Sequence, residues 1–245
     1  MNNLIKDFAK FLDEKGFEIA NEAKLGQEPS GNYMFASQIF TNKQVLLPLL
    51  CRVALNIAEP SPLKYSVGNP TDANKLKNFL DGLKREALLE YRVSGTGLEF
   101  EIILPTGEDK RKFFRSEWAE QCFRYIITRI VNEFCTEHGN LSHKIMQGVE
   151  IRRKGDKNLF TELDLVVQLE KRFYAFEVKS GPWVRILQWA ERERAFVTKD
   201  GPFRVIVCTI HDNIPAPIFE PQLLMTIGGL EKRLKRLLRS DFEVR

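Results

Sequence analysis

The chain has 245 residues, 43% hydrophobic and 29% charged, with a formal net charge of +4. A packed core follows, global disorder is excluded, and no apolar run reaches the roughly 18 residues that a membrane-spanning helix needs. Four cysteines (Cys51, Cys122, Cys135, Cys208) form no CxxC pair and three histidines lack zinc-site spacing, so zinc and redox motifs are excluded and a reduced, cytoplasmic protein is expected. The mildly basic balance permits a nucleic-acid partner without demanding one.

The amphipathic start MNNLIKDFAKFLDEKG does not read as a secretion signal. Leu4, Ile5, Phe8, Phe11 and Leu12 stand at helical spacing over residues 2–15, and Gly16 supplies the stop. FEIAN and NYMFASQIF, before residue 42, read as strand-like. Residues 43–58 are apolar and contain Pro48, so a helix is expected to start near that proline. Residues 59–71 hold three prolines and a glycine and read as a loop. A helix follows at 72–86, capped by Thr71, with Leu76, Phe79, Leu80 and Leu83 as its stripe. LLEYRV and LEFEIIL flank SGTG, a hairpin signal. A helix followed by a hairpin over 72–104 resembles the end of a winged helix. With no basic recognition helix there, a small α/β packing module is the reading preferred.

EDKRKFFR (108–115) reads as a junction between an N-terminal α/β domain at 1–105 and a second domain at 113–245. The second domain opens with a helix at 116–134 capped by Ser116. A short strand is expected at 148–153, a hairpin at 162–169 and 172–179, a helix at 184–197, a buried strand at 204–210 and an amphipathic helix at 221–240. This order suits a central sheet with helices against it.

The hairpin TELDLVVQLEKRFYAFEVKSG (161–181) is apolar yet carries Asp164, Glu177 and Lys179. By alternation Glu162, Asp164, Val166 and Gln168 share one strand face, and Phe173, Ala175, Glu177 and Lys179 are in phase on the next strand. A two-residue turn at Glu170-Lys171, or a symmetric four-residue one, sets Asp164 opposite Glu177 and Glu162 opposite Lys179. An odd-length turn or a bulge shifts the pairing by one. In the first register two carboxylates face each other at about 4.5–5.5 Å between Cβ atoms, which is unfavourable unless a cation lies between them. Two readings stand at this point: a metal cradle with an ammonium beside it, or solvent-facing charges on a half-exposed hairpin.

Asp164, followed by Glu177-Val178-Lys179, resembles the active-site signature of the PD-(D/E)XK nuclease superfamily, and the helix-then-strands order is similar to that superfamily's core. The first motif reads Glu162-Leu163-Asp164, without the proline that often precedes the aspartate. FFRSEWAEQCFRYI, then ELD, then FEVK, are similar to the nuclease halves of CRISPR ancillary nucleases activated by cyclic oligoadenylate. That likeness covers about residues 113–181. No Gly-rich fingerprint of a ligand-sensing domain stands in residues 1–100, so the ligand is left open. The resemblance implies a restriction-endonuclease-like mixed sheet flanked by helices, with a smaller α/β N-terminal domain. It implies Mg²⁺ or Mn²⁺ on Asp164, Glu177 and the Val178 carbonyl, with Lys179 and Glu120 completing the catalytic set.

On the 116–134 helix, Glu120 borders the apolar arc and Glu117 lies further into the polar face, so Glu120 is the preferred acid; an acid favoured by the helix dipole is the plain alternative for either. Glu162 and Gln188 stand as supporting candidates, the latter against the reading of a surface glutamine. Trp183 and Trp189 suit base stacking or core packing. Lys110, Arg111, Lys112 and Arg115 form a candidate phosphate contact, preferred on position to the basic stripe of the last helix, which also suits a solvated face. The expected protein is a metal-dependent phosphodiesterase, endonuclease ahead of exonuclease and DNA ahead of RNA, without a membrane partner and with a homodimer as its assembly. The rival is a non-catalytic nucleic-acid-binding or assembly protein that keeps the fold.

Overall fold

The structure is a computed structural model and describes residues 3–20, 33–59, 62–180, 202–210 and 224–242. Its contacts divide the chain into two compact units, Asn32–Tyr125 and Met1–Gly31 with Ile126–Arg245. The sequence places the first boundary near residue 105 and keeps the N-terminus in the first domain. The contacts instead group the N-terminal residues with the C-terminal ones, because Phe17–Ile19 pairs with a strand more than a hundred residues away.

The unit Asn32–Tyr125 contains α2 (Tyr33–Thr41), α3 (Lys43–Asn56), β2 (Leu63–Ser66), α4 (Pro70–Arg85), β3 (Glu90–Val93) and β4 (Glu99–Ile103). The strands form a sheet in the order β2-β4-β3, with β3 and β4 making the hairpin expected around SGTG. NYMFASQIF is helical rather than extended. Phe35, Ala36 and Ile39 are buried at helical spacing, and tertiary packing of that stripe overrides a β-leaning composition. A side chain at Gly82 on α4 would stand 3.0 Å from the Phe35 ring, so glycine there lets α2 and α4 approach. The helix expected to start near Pro48 starts at Lys43 and carries Pro48 inside it. Burial of Val45 and Leu46 ahead of the proline offsets the one hydrogen bond it forgoes. The cap of α4 is Asn69, whose side chain accepts from the Asp72 amide at 2.9 Å, and Pro70 takes the first helical position, so Thr71 is not the cap.

The expected junction at 108–115 is helical. α5 (Glu108–Lys112) runs through a π-helical turn (Phe113–Glu117) into α6 (Trp118–Glu137), so Ser116 lies inside a helix and caps nothing. The wider turn accommodates two adjacent buried rings, Phe113 and Phe114, and the Trp118 indole donates to the Phe114 carbonyl at 3.0 Å.

The other unit is built on a six-stranded mixed sheet in the order β1-β5-β6-β7-β8-β9. α1 (Asn3–Glu14) leads into β1 (Phe17–Ile19), which pairs antiparallel with β5 (His143–Arg153); β6 (Leu159–Leu169) and β7 (Arg172–Lys179) follow antiparallel. β8 (Phe203–Thr209) and β9 (Leu224–Thr226) extend the sheet in parallel. The last helix, α7, spans Leu230–Phe242, later than the expected 221–240, since the Leu224–Thr226 stretch is used as a strand. Helices flank both sheet faces. Phe8 and Phe11 of α1 lie 5.3 and 5.8 Å from the Phe173 ring, in one cluster with Ala175, Phe203 and Val205. The alternate residues Tyr174 and Arg204 point the other way, where both bond Asp241 of α7. The second half of α6 joins α7 there, with Phe134 and Phe242 rings 5.9 Å apart.

Candidate active site

The hairpin turn is the two-residue one, Glu170-Lys171. Paired residues run Leu169↔Arg172 to Leu165↔Phe176, the register that sets Asp164 in line with Glu177. Glu170 takes φ +51, as a tight primed turn requires. Its amide donates to the Ser142 carbonyl at 2.9 Å, and its carboxylate accepts from the Ser142 amide at 2.7 Å. Gln168 Nε2 donates to the Glu170 carbonyl at 3.1 Å. The turn is thereby fixed to the start of β5, and the register is fixed with it.

The β6–β7 ladder stops at Leu165↔Phe176, although both strands continue. Beyond that rung β6 stays paired to β5 through Leu163 and Glu162, and β7 stays paired to β8 through Glu177, Val178 and Lys179. The sheet therefore forks between its two central strands at the three charged residues. In the fork the Asp164 carboxylate takes the place of a ladder acceptor. Its Oδ2 receives the Val178 amide at 2.6 Å, a short charge-assisted bond to the residue between Glu177 and Lys179. The Lys179 ammonium pairs with Glu177 Oε1. Glu177 is only 3% exposed and its Oε2 is buried. On the adjacent rung the Cys208 thiol is held well above its ordinary pKa, first by burial and then by the fields of Asp164 and Glu177, so both carboxylates act on one buried atom.

The alternation expected along β6 is broken at this point. Leu163 and Val166, three residues apart, belong to one core cluster, and so do Met146 and Val149 on β5, which strict period-two strands do not allow. The break falls at Gly148 and Asp164, between the rungs Gln147↔Leu165 and Val149↔Leu163. Gly148 has φ +52. Hence Glu162, Asp164 and Val166 do not share one regular face. Glu162 is exposed, stands opposite Glu150, and its Oε1 lies 3.3 Å from where a side chain at 148 would begin. Gly148 and Glu150 were not singled out in the sequence. The legible signal was an isolated glycine inside the strand pattern MQGVEI.

Glu120 is half-buried in the first turn of α6, in the unit Asn32–Tyr125, as is the basic run. Most of that run has intra-unit partners. Arg111 Nε donates to the Pro105 carbonyl at 3.0 Å, Arg115 pairs with Glu108 at 2.5 Å, and Lys112 pairs with Glu117 at 3.1 Å. The Glu117 bond, ahead of its charge, raises the Lys112 pKa. Lys110 is exposed. Gln188, Trp183, Trp189 and the helix expected at 184–197 lie outside the described residues.

Among the described residues no group of three or more His, Cys, Asp or Glu side chains is placed to hold a metal ion. The two carboxylates at the fork, Asp164 and Glu177, are oxygen groups of the kind that a hard cation takes. Mg²⁺ binds through one or two carboxylates while keeping several waters, so two acids suffice for it.

No protein-family model matches the sequence, and a search of curated proteins finds no match. The chain has a mixed α/β architecture with a six-stranded sheet flanked by helices, and solved structures share it. One is protein VC1899 from Vibrio cholerae, with 15% identity and a TM-score of 0.51 over 96% of this chain and 61% of that one. Another is Can2 from Sulfobacillus thermosulfidooxidans in complex with cyclic tetra-adenylate, with 13% identity and a TM-score of 0.51 over 93% of this chain and 59% of that one. The chain thus spans about three fifths of the length of either structure. At these identities the likeness is one of fold. No described helix is long and apolar enough to cross a membrane.

Proposed function

We propose that this chain is a metal-dependent nuclease of the PD-(D/E)XK kind, hydrolysing phosphodiester bonds at the fork between β6 and β7. The observation that carries the reading is the 2.6 Å bond from the Val178 amide to Asp164 Oδ2, which ties the aspartate of the first motif to the middle of Glu177-Val178-Lys179. The fold likeness to Can2 supports it. That structure holds cyclic tetra-adenylate, a ligand of the class that the motif resemblance brings with it. The ligand is not assigned to any residue of this chain.

In this reading Asp164, Glu177 and the Val178 carbonyl hold Mg²⁺ or Mn²⁺. When bound, such an ion lowers the pKa of a water and polarises the scissile phosphate. Asp164 accepts the Val178 amide through Oδ2, which fixes its carboxylate in the fork. Glu177, buried in the sheet, orients the Lys179 ammonium through their ion pair. Lys179 then directs the attacking water or offsets the negative charge that builds on the phosphate. Glu120, Glu162 and Gln188 are the supporting residues proposed, and Lys110, Arg111, Lys112 and Arg115 the phosphate contacts. DNA is the preferred substrate over RNA, endonucleolytic cleavage the preferred mode, a homodimer the proposed assembly and the cytoplasm the proposed compartment.

The test is incubation with supercoiled plasmid, linear single-stranded DNA and RNA in Mg²⁺, Mn²⁺ or EDTA. Cleavage in metal and none in EDTA is expected. Tight nucleic-acid binding without cleavage in either metal would favour the non-catalytic reading.

A further inference from the structure

We propose that the outer face of α7 is a nucleic-acid interface, on which Lys232, Arg236 and Arg239 contact successive backbone phosphates. The choice of partner rests on the nuclease reading, whereas the surface is defined by the helix itself. α7 is two-sided. Leu230, Leu234, Leu237 and Leu238 are buried, and Lys232, Arg236 and Arg239 are exposed. Cations at i, i+4 and i+7 form one row, which rises about 10 Å along the axis at roughly 1.5 Å per residue. A duplex presents one phosphate per strand about every 3.4 Å of its axis, so the row spans about three of them. The two acids of α7 are engaged elsewhere. Glu231 accepts from Arg129 of α6 at 3.3 Å and from Lys235 at 3.2 Å, and Asp241 accepts from Tyr174 and Arg204 of the sheet.

The row begins at the end of the sheet that carries Lys179. Lys179 stands in line with Thr209, and Thr209 with Thr226, on three parallel strands. Neighbouring strands lie about 4.8 Å apart, so Thr226 is about 10 Å from Lys179 across the sheet. The chain turns into α7 there. The Gly229 amide donates to the Thr226 carbonyl at 3.0 Å, and Arg233 Nη1 donates to the Leu224 carbonyl at 2.8 Å. The helix then runs back along the sheet to Tyr174 and Arg204, near the starts of their strands. A basic amphipathic helix also suits an anionic membrane, but it binds one by inserting its apolar face. Here the four leucines of that face are buried in the protein. The basic run ahead of α6 is the less open surface, since Arg111, Lys112 and Arg115 hold partners within their own unit.

The experiment is fluorescence anisotropy of a labelled DNA duplex with the full chain in EDTA over a range of NaCl, with plasmid nicking in Mn²⁺ alongside. Lys232→Gln with Arg236→Gln should reduce the slope of log affinity against log salt by about 1.8, at about 0.9 per phosphate contact, and weaken binding at low salt roughly tenfold or more. Glutamine keeps the helix propensity of the residues it replaces. The charge-keeping pair Lys232→Arg with Arg236→Lys should retain the slope. No binding of the duplex, or an unchanged slope in the glutamine pair, overturns the proposal. A slope lost equally in the charge-keeping pair overturns it as well, since the helix then acts only through the fold. Loss confined to phosphatidylserine vesicles overturns it in favour of a membrane. A reduced slope in a chain that never nicks plasmid upholds the interface and removes the nuclease reading, and nicking with an unchanged slope does the reverse.

Discussion

Replacing Lys179 with Met keeps the aliphatic stem and removes the charge beside Glu177. The Glu177 side chain is 4% exposed and that of Lys179 29%, so the ion pair is buried at its acidic end and partly open at its basic end. Removing one partner of a fully buried pair costs about 3–5 kcal/mol. Partial exposure of the lysine screens the pair, which brings the expected loss to about 2–3 kcal/mol. For a chain of this size that is a fall in Tm of roughly 4–12 °C. Urea unfolding in EDTA measures the loss directly. Two controls fix its origin. Glu177→Gln in the Lys179→Met background removes the stranded charge and should recover most of the stability. Mn²⁺ at a hundred times its Kd should add about 2.7 kcal/mol to the variant and the wild type alike, by mass action on the folded state. A loss below about 0.5 kcal/mol, or a loss that Glu177→Gln does not relieve, would refute the claim that Lys179 compensates a buried carboxylate. Retained stability with undiminished cleavage would remove Lys179 from the mechanism as well.

Asp164→Asn should weaken Mn²⁺ binding and abolish plasmid nicking together, since it replaces a charged oxygen on a hard-cation site; calorimetry and a nicking assay on one preparation check both. Lys179→Ala should abolish nicking while Mn²⁺ affinity stays within a few-fold, because an ammonium is not a ligand. Burial pushes the Cys122 thiol up to about 12 and the Cys208 thiol well above its ordinary value. Both thiols stay protonated in the fold, so stability is fully present below the unfolded thiol value of about 9 and falls as pH rises through it. A set of urea titrations from pH 7 to 10.5, repeated with Cys208→Ala, reads this out, and a pH slope unchanged by the substitution would count against it. Asp241 is 5% exposed and accepts from Arg204 twice, at 2.8 and 2.6 Å, and from the Tyr174 hydroxyl at 2.9 Å. Asp241→Ala should cost about 3 kcal/mol by stranding Arg204 and freeing the end of α7, and Asp241→Asn less.

Much of the chain's local structure is legible in its residues. The stripes of α4, α6 and α7 recur at helical spacing, and leucines 230, 234, 237 and 238 are buried as that spacing demands. Gly16, at φ +80, ends α1 where a glycine stop is expected. The hairpin register follows from a two-residue turn between two apolar runs, so the alignment of Asp164 with Glu177 needs only information local to about fifteen residues.

What tertiary structure decided is nonlocal. β1 joins the sheet edge beside β5, because an edge strand takes whatever partner offers a free ladder and a matching buried face, and no local spacing encodes that choice. The helical state of Tyr33–Thr41 depends on where Phe35 finds α4. The fork between β6 and β7 depends on β5 and β8 drawing the two strands apart after the 165–176 rung. The sequence determines that an aspartate, a glutamate and a lysine occupy neighbouring rungs of one hairpin. Only the packed sheet, in which β6 stays with β5 and β7 with β8 past the 165–176 rung, turns those rungs into a gap in which Asp164 bonds the amide between Glu177 and Lys179. Alternation is a property of a single strand, whereas its interruption is set by what the strands on either side require.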